Sequence, residues 1–293
     1  KLITEFSNSI LLWHGVLPKK LKPIKINTSY LSQYINKKNK KFFLYPNKAM
    51  SLNIMDRFPK KKYELFISNL PRNIGLNDNQ NFNDYRTSFE IDFINKIRNS
   101  KKNIFGYFPT WRPNGLELFS DVKNFDDLLK TNKILEKNNS IILIKKHMNS
   151  EKGDENILYN KEIENISDYL NKLSNFKFVN YEFDLNSILN ICDVLISDYS
   201  GVIFDYLYLD RPIIIYAPDY VKFNNETGFA LDPIKNKSGH IARNLDDLNN
   251  LISDYADNEK EFRKKYSDNR TLIKDKVFNS NSNINDLVNL IEN

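Results

Sequence analysis

Asp193-Val194-Leu195-Ile196-Ser197-Asp198-Tyr199-Ser200-Gly201-Val202-Ile203-Phe204-Asp205-Tyr206, continued by Arg211-Pro212-Ile213-Ile214-Ile215-Tyr216, carries the architecture of this chain in miniature. Residues 194–197 form a short run with no polar alternation, 197–201 are hydroxyl-rich, 202–207 are apolar apart from Asp205, and 213–216 form a second apolar run. Uninterrupted apolar strands are buried on both faces, which is the mark of a parallel sheet. Similar runs appear at Ser9 to Trp13, Lys40 to Tyr45, Tyr63 to Ser68, Asn103 to Phe108 and Ser140 to Lys145. Between them, residues 124–138, 162–175 and 246–255 place apolar side chains at helical spacing, with Asn124 or Asp126 as the N-cap of the first. Strand–helix–strand alternation predicts right-handed βαβ units and an α/β doubly wound fold. The Asn- and Asp-rich residues 76–84 read as a linker.

Composition narrows the function. At 293 residues, the chain suits one large or two modest domains. With 41% hydrophobic and 13% aromatic residues it has ample material for a core. Forty-three basic against 37 acidic residues leave a net charge of +6. That bias is too mild for a nucleic-acid module, which concentrates charge on one face, and it favours anionic substrates or an anionic membrane surface. The single cysteine, Cys192, excludes an internal disulfide and a multi-cysteine zinc site, and fits a reducing cytoplasm. No apolar run reaches the 18–20 residues or so that span a bilayer, and the opening residues do not read as a signal peptide. Lys19, Lys20, Lys22 and Lys25 form a basic patch that can face phosphate or a membrane, although such runs are usually only solvated.

In open parallel sheets, ligands bind beyond the carboxyl ends of the strands. The groups there are Trp13-His14-Gly15, Pro109-Thr110-Trp111-Arg112, Lys145-Lys146-His147 and residues 197–201. A lone histidine is more often structural than catalytic. Two of only three in the chain at strand ends, His14 and His147, tilt the balance toward chemistry. The 197–201 turn opens a helix, where amide groups and the helix dipole favour an anion such as phosphate. A plain N-cap by Asp198 or Ser200 explains the same residues equally well. Asp205, one turn into the helix, can reach a ribose hydroxyl or be an ordinary helix carboxylate. Arg72 and Arg112 suit oxyanions, against a default of solvated surface groups. No Gly-x-Gly-x-x-Gly, Walker loop, His-Glu-x-x-His or Gly-x-Ser-x-Gly is present.

In order along the chain, these segments resemble the CDP-glycerol glycerophosphotransferases, the teichoic-acid and capsule polymerase and primase enzymes. Residues 193–206 resemble the family's D-I-L-I-T-D-Y-S-S-V-x-F-D-Y, and Arg211 to Asp219 its R-P-I-x-F-Y-x-x-D. Leu12-Trp13-His14-Gly15 is similar to L-W-H-G-T, and Leu70-Pro71-Arg72-Asn73 to G-Y-P-R-N-D. Tyr107 to Arg112 is similar to Y-A-P-T-[FW]-R, and Ile144 to His147 to L-K-x-H-P. Gly228-Phe229 and Ser238-Gly239 resemble later G-F and P-G pieces. Val16 stands where the family has Thr, and Met148 where it has Pro.

The resemblance implies a GT-B-like pair of Rossmann-like domains with parallel sheets and an active site between them. Residues 1–84 would form a partial, acceptor-side N-terminal domain, because family members carry further residues before the first match. Residues 85–293 would form the domain binding a CDP-glycerol or CDP-ribitol donor. It further implies alditol-phosphate transfer to a polyol-phosphate or glycan hydroxyl, a lipid-linked acceptor included, with release of CMP. His14 would be the general base and His147 would act on the transferring phosphate. Arg72, Thr110, Arg112, Lys145, Ser197, Asp198, Tyr199, Ser200, Gly201, Asp205 and Gly239 would bind substrate. No cofactor or metal is implied, no nucleic acid is a partner, and peripheral contact with the inner face of an anionic membrane is open. A nucleotide-sugar glycosyltransferase, or a GT-B-like module with reduced catalysis, are the competing readings.

Overall fold

The structure is a computed structural model that describes residues 9–12, 16–20, 41–55, 64–77, 86–110, 119–145 and 161–278, together with Asn285 and Asn289. Two parallel sheets organise it. In the first, β1 (Ser9–Leu12), β2 (Lys41–Tyr45) and β3 (Glu64–Ile67) lie in the order β1-β2-β3. Helix α1 (Lys48–Met55) follows β2, and α2 (Pro71–Asn77) follows β3. Proline suits the opening position of α2, where its missing N–H has no intrahelical acceptor to lose. Leu76, read from sequence as the start of a linker, is instead 3% exposed in the last turn of α2. The 84/85 boundary falls outside the described residues, as do residues 78–84 of that linker.

The second sheet has six strands: β4 (Asn103–Tyr107), β5 (Ser140–Ile144), β6 (Phe176–Phe178), β7 (Val194–Ser197), β8 (Ile213–Tyr216) and β9 (His240–Ala242). Their order is β6-β5-β4-β7-β8-β9, with every pairing parallel. Helices cover both faces. They are α3 (Ser88–Asn99), α4 (Phe125–Lys137), α5 (Lys161–Asn171), α6 (Leu185–Ile191), α7 (Val202–Tyr206), α8 (Tyr220–Glu226), α9 (Leu245–Asp257), α10 (Glu259–Lys264) and α11 (Ser267–Val277).

Alternation within the apolar strands divides them between two cores. Ile141 and Leu143 of β5, Leu195 of β7, and Ile213 and Ile215 of β8 pack into one. Ile142, Ile144, Val194, Ile196, Ile214 and Tyr216 pack into the other. Each such aliphatic side chain contributes about 1.5–3 kcal/mol when fully buried, which is why these strands tolerate no polar alternation. Asn124 caps α4 by accepting from the Asp127 N–H (3.1 Å), and Asn244 caps α9 in the same way through Asp247 (2.8 Å). The helix read over 162–175 ends earlier. Asn175 is held by Asn132, whose Oδ1 accepts its N–H at 3.0 Å, and the chain then enters β6. Strands β6 and β9, three residues each, went unread in the sequence.

Gly239 stands beside Ile213 at the amino edge of this sheet. A Cβ there would lie 2.1 Å from the Ile213 carbonyl oxygen. Gly239→Ala is therefore expected to cost at least about 2 kcal/mol through forced separation of β8 and β9, measurable as a lower urea midpoint.

The third histidine belongs to the core. His240 is 3% exposed and lies face to face on Phe262, with ring centroids 3.6 Å apart. Its Nε2–H donates to the Phe262 carbonyl at 3.2 Å. Burial lowers its pKa from 6.5 to about 4, Lys265 and Arg270 adding to the effect and the hydrogen bond opposing it. The unfolded chain thus takes up this proton at a higher pH than the folded one. The neutral ring's stabilisation is complete above pH 6.5 and is lost as pH falls toward 4, by about 3 kcal/mol over that window. Thermal unfolding between pH 7.5 and 4.5 is expected to show this decline, and His240→Gln to flatten it.

Candidate active site

The six-stranded sheet changes direction between β4 and β7. From β4 the chain winds outward through β5 to β6, and from β7 it winds the other way through β8 to β9. Such a switch point opens a crevice at the carboxyl ends of its two central strands, because the connecting helices leave on opposite faces. Here those ends deliver Thr110 and residues 197–201.

Hydrogen bonds lock the two ends together. Asp198, 4% exposed, accepts on Oδ1 from the Thr110 N–H (2.8 Å), the Thr110 hydroxyl (2.6 Å) and the Tyr199 N–H (2.6 Å). The Ser197 hydroxyl donates to the Phe108 carbonyl at 2.6 Å. Tyr199 is fully buried, its hydroxyl donating to Asp219 (2.9 Å) and its ring stacked on Phe223 at 4.1 Å. Ser197, Asp198, Tyr199 and Thr110 therefore build the floor of the crevice. Ser200 and Gly201, both half-buried, stand at its surface.

The smaller sheet's lobe closes onto this turn. A Cβ on Gly201 would lie 2.5 Å from the Val16 carbonyl oxygen, so only glycine allows the backbone after β1 to approach so closely. Farther on, the Pro18 carbonyl accepts from the N–H groups of Ala230 (2.7 Å) and Leu231 (3.0 Å), and the Lys20 N–H donates to the Gly228 carbonyl (3.1 Å). On the other side, Asp205 receives two residues of α2. Arg72 Nη2 donates to Oδ2 at 2.5 Å and Asn73 Nδ2 to Oδ1 at 2.6 Å. Asn186 of α6 donates to the Arg72 carbonyl at 2.6 Å.

A match to the family described as CDP-Glycerol:Poly(glycerophosphate) glycerophosphotransferase spans residues 5–292. The chain belongs to that family. Among similar proteins, the teichoic acid glycerol-phosphate transferase of Staphylococcus aureus (strain NCTC 8325 / PS 47) is 25% identical over 269 residues, covering 85% of this chain and 62% of the relative. The teichoic acid poly(glycerol phosphate) polymerase of Bacillus spizizenii (strain ATCC 23059 / NRRL B-14472 / W23) is 28% identical over 238 residues, covering 75% of this chain and 54% of the relative. The chain thus spans a little over half the length of these relatives. A solved structure of the wall teichoic acid polymerase TagF superposes with a TM-score of 0.64 at 22% identity, over 94% of this chain and 65% of that one. The fold is accordingly the α/β, GT-B-like pair of parallel sheets expected from the sequence.

Within this glycerophosphotransferase fold, the residues picked out from the sequence separate into groups. Thr110, Ser197, Asp198, Tyr199, Ser200 and Gly201 converge at the switch point. His14, Arg112 and His147 lie outside the described residues. Val16, two positions after His14, touches the turn, and β5 ends three positions before His147. Lys145, read from the sequence as a substrate-binding residue, holds backbone at the end of β5. Its ammonium donates to the carbonyls of Asn180 (3.0 Å), Tyr181 (3.0 Å) and Phe183 (3.1 Å), and so pins the segment after β6.

Asp205, expected from the resemblance to lie near a ribose, holds α2 in this structure. It is 2% exposed, and each carboxylate oxygen already accepts from the opposite lobe. Gly239 lies at the amino edge of the sheet, away from the carboxyl-end crevice, with the Ile213 carbonyl filling the space beside it. Asn73, fully buried beside Arg72, belongs to one of the sequence motifs but drew no functional assignment from it. Its position next to an interface arginine was the available signal.

Proposed function

We propose that this protein transfers glycerol phosphate, or ribitol phosphate, from a CDP-alditol to a hydroxyl of a polyol-phosphate or glycan acceptor, releasing CMP, in teichoic-acid-type polymer synthesis. What chiefly supports this reading is the direct packing of the Val16 backbone on Gly201. It brings the segment that follows His14 onto the turn expected to hold the donor's diphosphate. Residues 85–293 would bind the donor and residues 1–84 would serve the acceptor.

The acceptor hydroxyl attacks the β-phosphorus. A new phosphorus–oxygen bond forms as the bond to the bridging oxygen breaks, and CMP leaves with that oxygen. His14 takes the acceptor's proton, because an alcohol is a weak nucleophile until deprotonated and imidazole titrates near neutrality. His147, from the other lobe, steadies the transferring phosphoryl group, as do Arg112 and Arg72. The floor formed by Asp198, Thr110 and Ser197 keeps the 197–201 turn in one conformation, so the site is organised before charge develops. A lipid-linked acceptor would hold the enzyme at a membrane surface. Among the described residues, no helix is long and apolar enough to cross one.

The test is CMP release by the full-length protein from CDP-glycerol and from CDP-ribitol, with a polyol-phosphate acceptor. Release dependent on acceptor supports the reading. Absence of release from both donors, with turnover of a UDP-sugar instead, would replace it with glycosyl transfer.

A further inference from the structure

The pairing of Asp205 with α2 does more than fasten two lobes. Asp205 begins one turn from the donor turn, and its N–H reaches back to the Gly201 carbonyl at 3.4 Å. Its carboxylate is 2% exposed, whereas the Arg72 side chain it holds is 32% exposed. A carboxylate so deeply buried is stable only when paired, and both of its partners come from the opposite lobe. Around the pair, Arg72 Nε, Asn73 Oδ1 and the Tyr208 hydroxyl are buried without a protein partner. Burial, then the Asp205 charge, drive the Tyr208 phenol well above its ordinary pKa, so it stays protonated.

From this arrangement we infer that Asp205 is a positioning residue. Through its two-oxygen grip on Arg72 and Asn73, it sets the guanidinium of one lobe relative to the donor turn of the other. The inference rests on the phosphotransferase reading, in which Arg72 meets the transferring phosphate. It assigns Asp205 an effect on turnover that is exerted wholly through α2, and no contact with the nucleoside. Arginine is suited to this, because its planar fork can give one N–H to Asp205 and present others elsewhere. Asn73 supplies the second tether, which stops the carboxylate from rotating toward the arginine alone.

A double-mutant cycle distinguishes positioning from direct contact. In the full-length protein, steady-state CMP release from CDP-glycerol is measured for wild type, Arg72→Ala, Asp205→Asn and the double variant, with thermal unfolding recorded in parallel. Arg72→Ala and Asp205→Asn are each expected to lower kcat about 10–100-fold, with KM for CDP-glycerol within about threefold of wild type. The double variant is expected to be no more than about threefold slower than Arg72→Ala alone. Multiplicative losses, or a loss carried by KM with kcat intact, would overturn the inference in favour of direct donor contact by Asp205. If Asp205→Asn does not fold, Asn73→Ala replaces it in the cycle, since it removes one tether and leaves the ion pair. It is expected to lower kcat about 3–10-fold, again without adding to Arg72→Ala. Turnover by the wild type reports on the phosphotransferase reading itself, and the ratios among variants report on Asp205. A normal wild-type rate with additive variants therefore sinks only the latter.

Discussion

Alanine in place of His14 is expected to slow CMP release about 10²–10⁴-fold, the range associated with loss of a positioned general base. Thermal unfolding should stay within about 2 °C of wild type. The rate effect is large because, among the described residues picked out at the crevice, the acids and the lysine are already engaged with protein groups. Asp198 Oδ1 already accepts three hydrogen bonds, and each Asp205 oxygen accepts one from α2. Lys145 is a cation committed to three carbonyls. Single-turnover rates with pre-bound CDP-glycerol separate this chemical defect from weakened binding. A His14→Ala rate within threefold of wild type would mean that the proton leaves by another route, and that the Val16–Gly201 contact serves packing alone.

The second large effect is on stability. Asp198→Ala is expected to cost about 4 kcal/mol. It leaves the Thr110 N–H, the Thr110 hydroxyl and the Tyr199 N–H facing a buried void, and each orphaned donor costs about 1–3 kcal/mol. Thr110 is 5% exposed and Tyr199 fully buried, so water has little access to compensate. Asp198→Asn retains an acceptor at Oδ1 and is expected to cost about half as much. Urea unfolding measures both, with a lower midpoint and an unchanged slope. Against a typical total of about 5–15 kcal/mol, the alanine variant sits near the limit of folding. A cost under about 1 kcal/mol would show that the ends of β4 and β7 do not depend on this carboxylate.

What could be read in advance follows from where the physics is local. β5, β7 and β8 were legible because residues such as Ile142 and Ile214 are buried on strands covered from both sides, a condition that leaves an uninterrupted apolar run. Asn124 was legible as a cap because a helix start satisfies its N–H groups within three residues. β6 and β9 escaped because Phe176-Lys177-Phe178 and His240-Ile241-Ala242 are three-residue strands at the sheet's edges, and carry too little pattern.

The site divides in the same way. The 197–201 turn announced itself by composition and by following a buried strand. The roles of Lys145 and Asp205 did not, because their partners lie 35–38 and 132–133 residues away in sequence. A strand-end cation and a helix carboxylate look alike in sequence whether they face a ligand or another lobe. Gly239 illustrates the converse. A glycine near a strand suggests close approach by something, and only the register of β8 with β9 identifies that something as the Ile213 carbonyl.

A crystal structure of the full-length protein with CDP-glycerol bound tests the central claim most directly. The expected result places the diphosphate at residues 197–201, between the carboxyl ends of β4 and β7. The His14 imidazole should lie within hydrogen-bond reach of the position an acceptor hydroxyl takes for in-line attack on the β-phosphorus, and Asp205 should still be bound to Arg72 and Asn73. A diphosphate seated away from that turn, or a His14 ring directed out of the crevice, would contradict it.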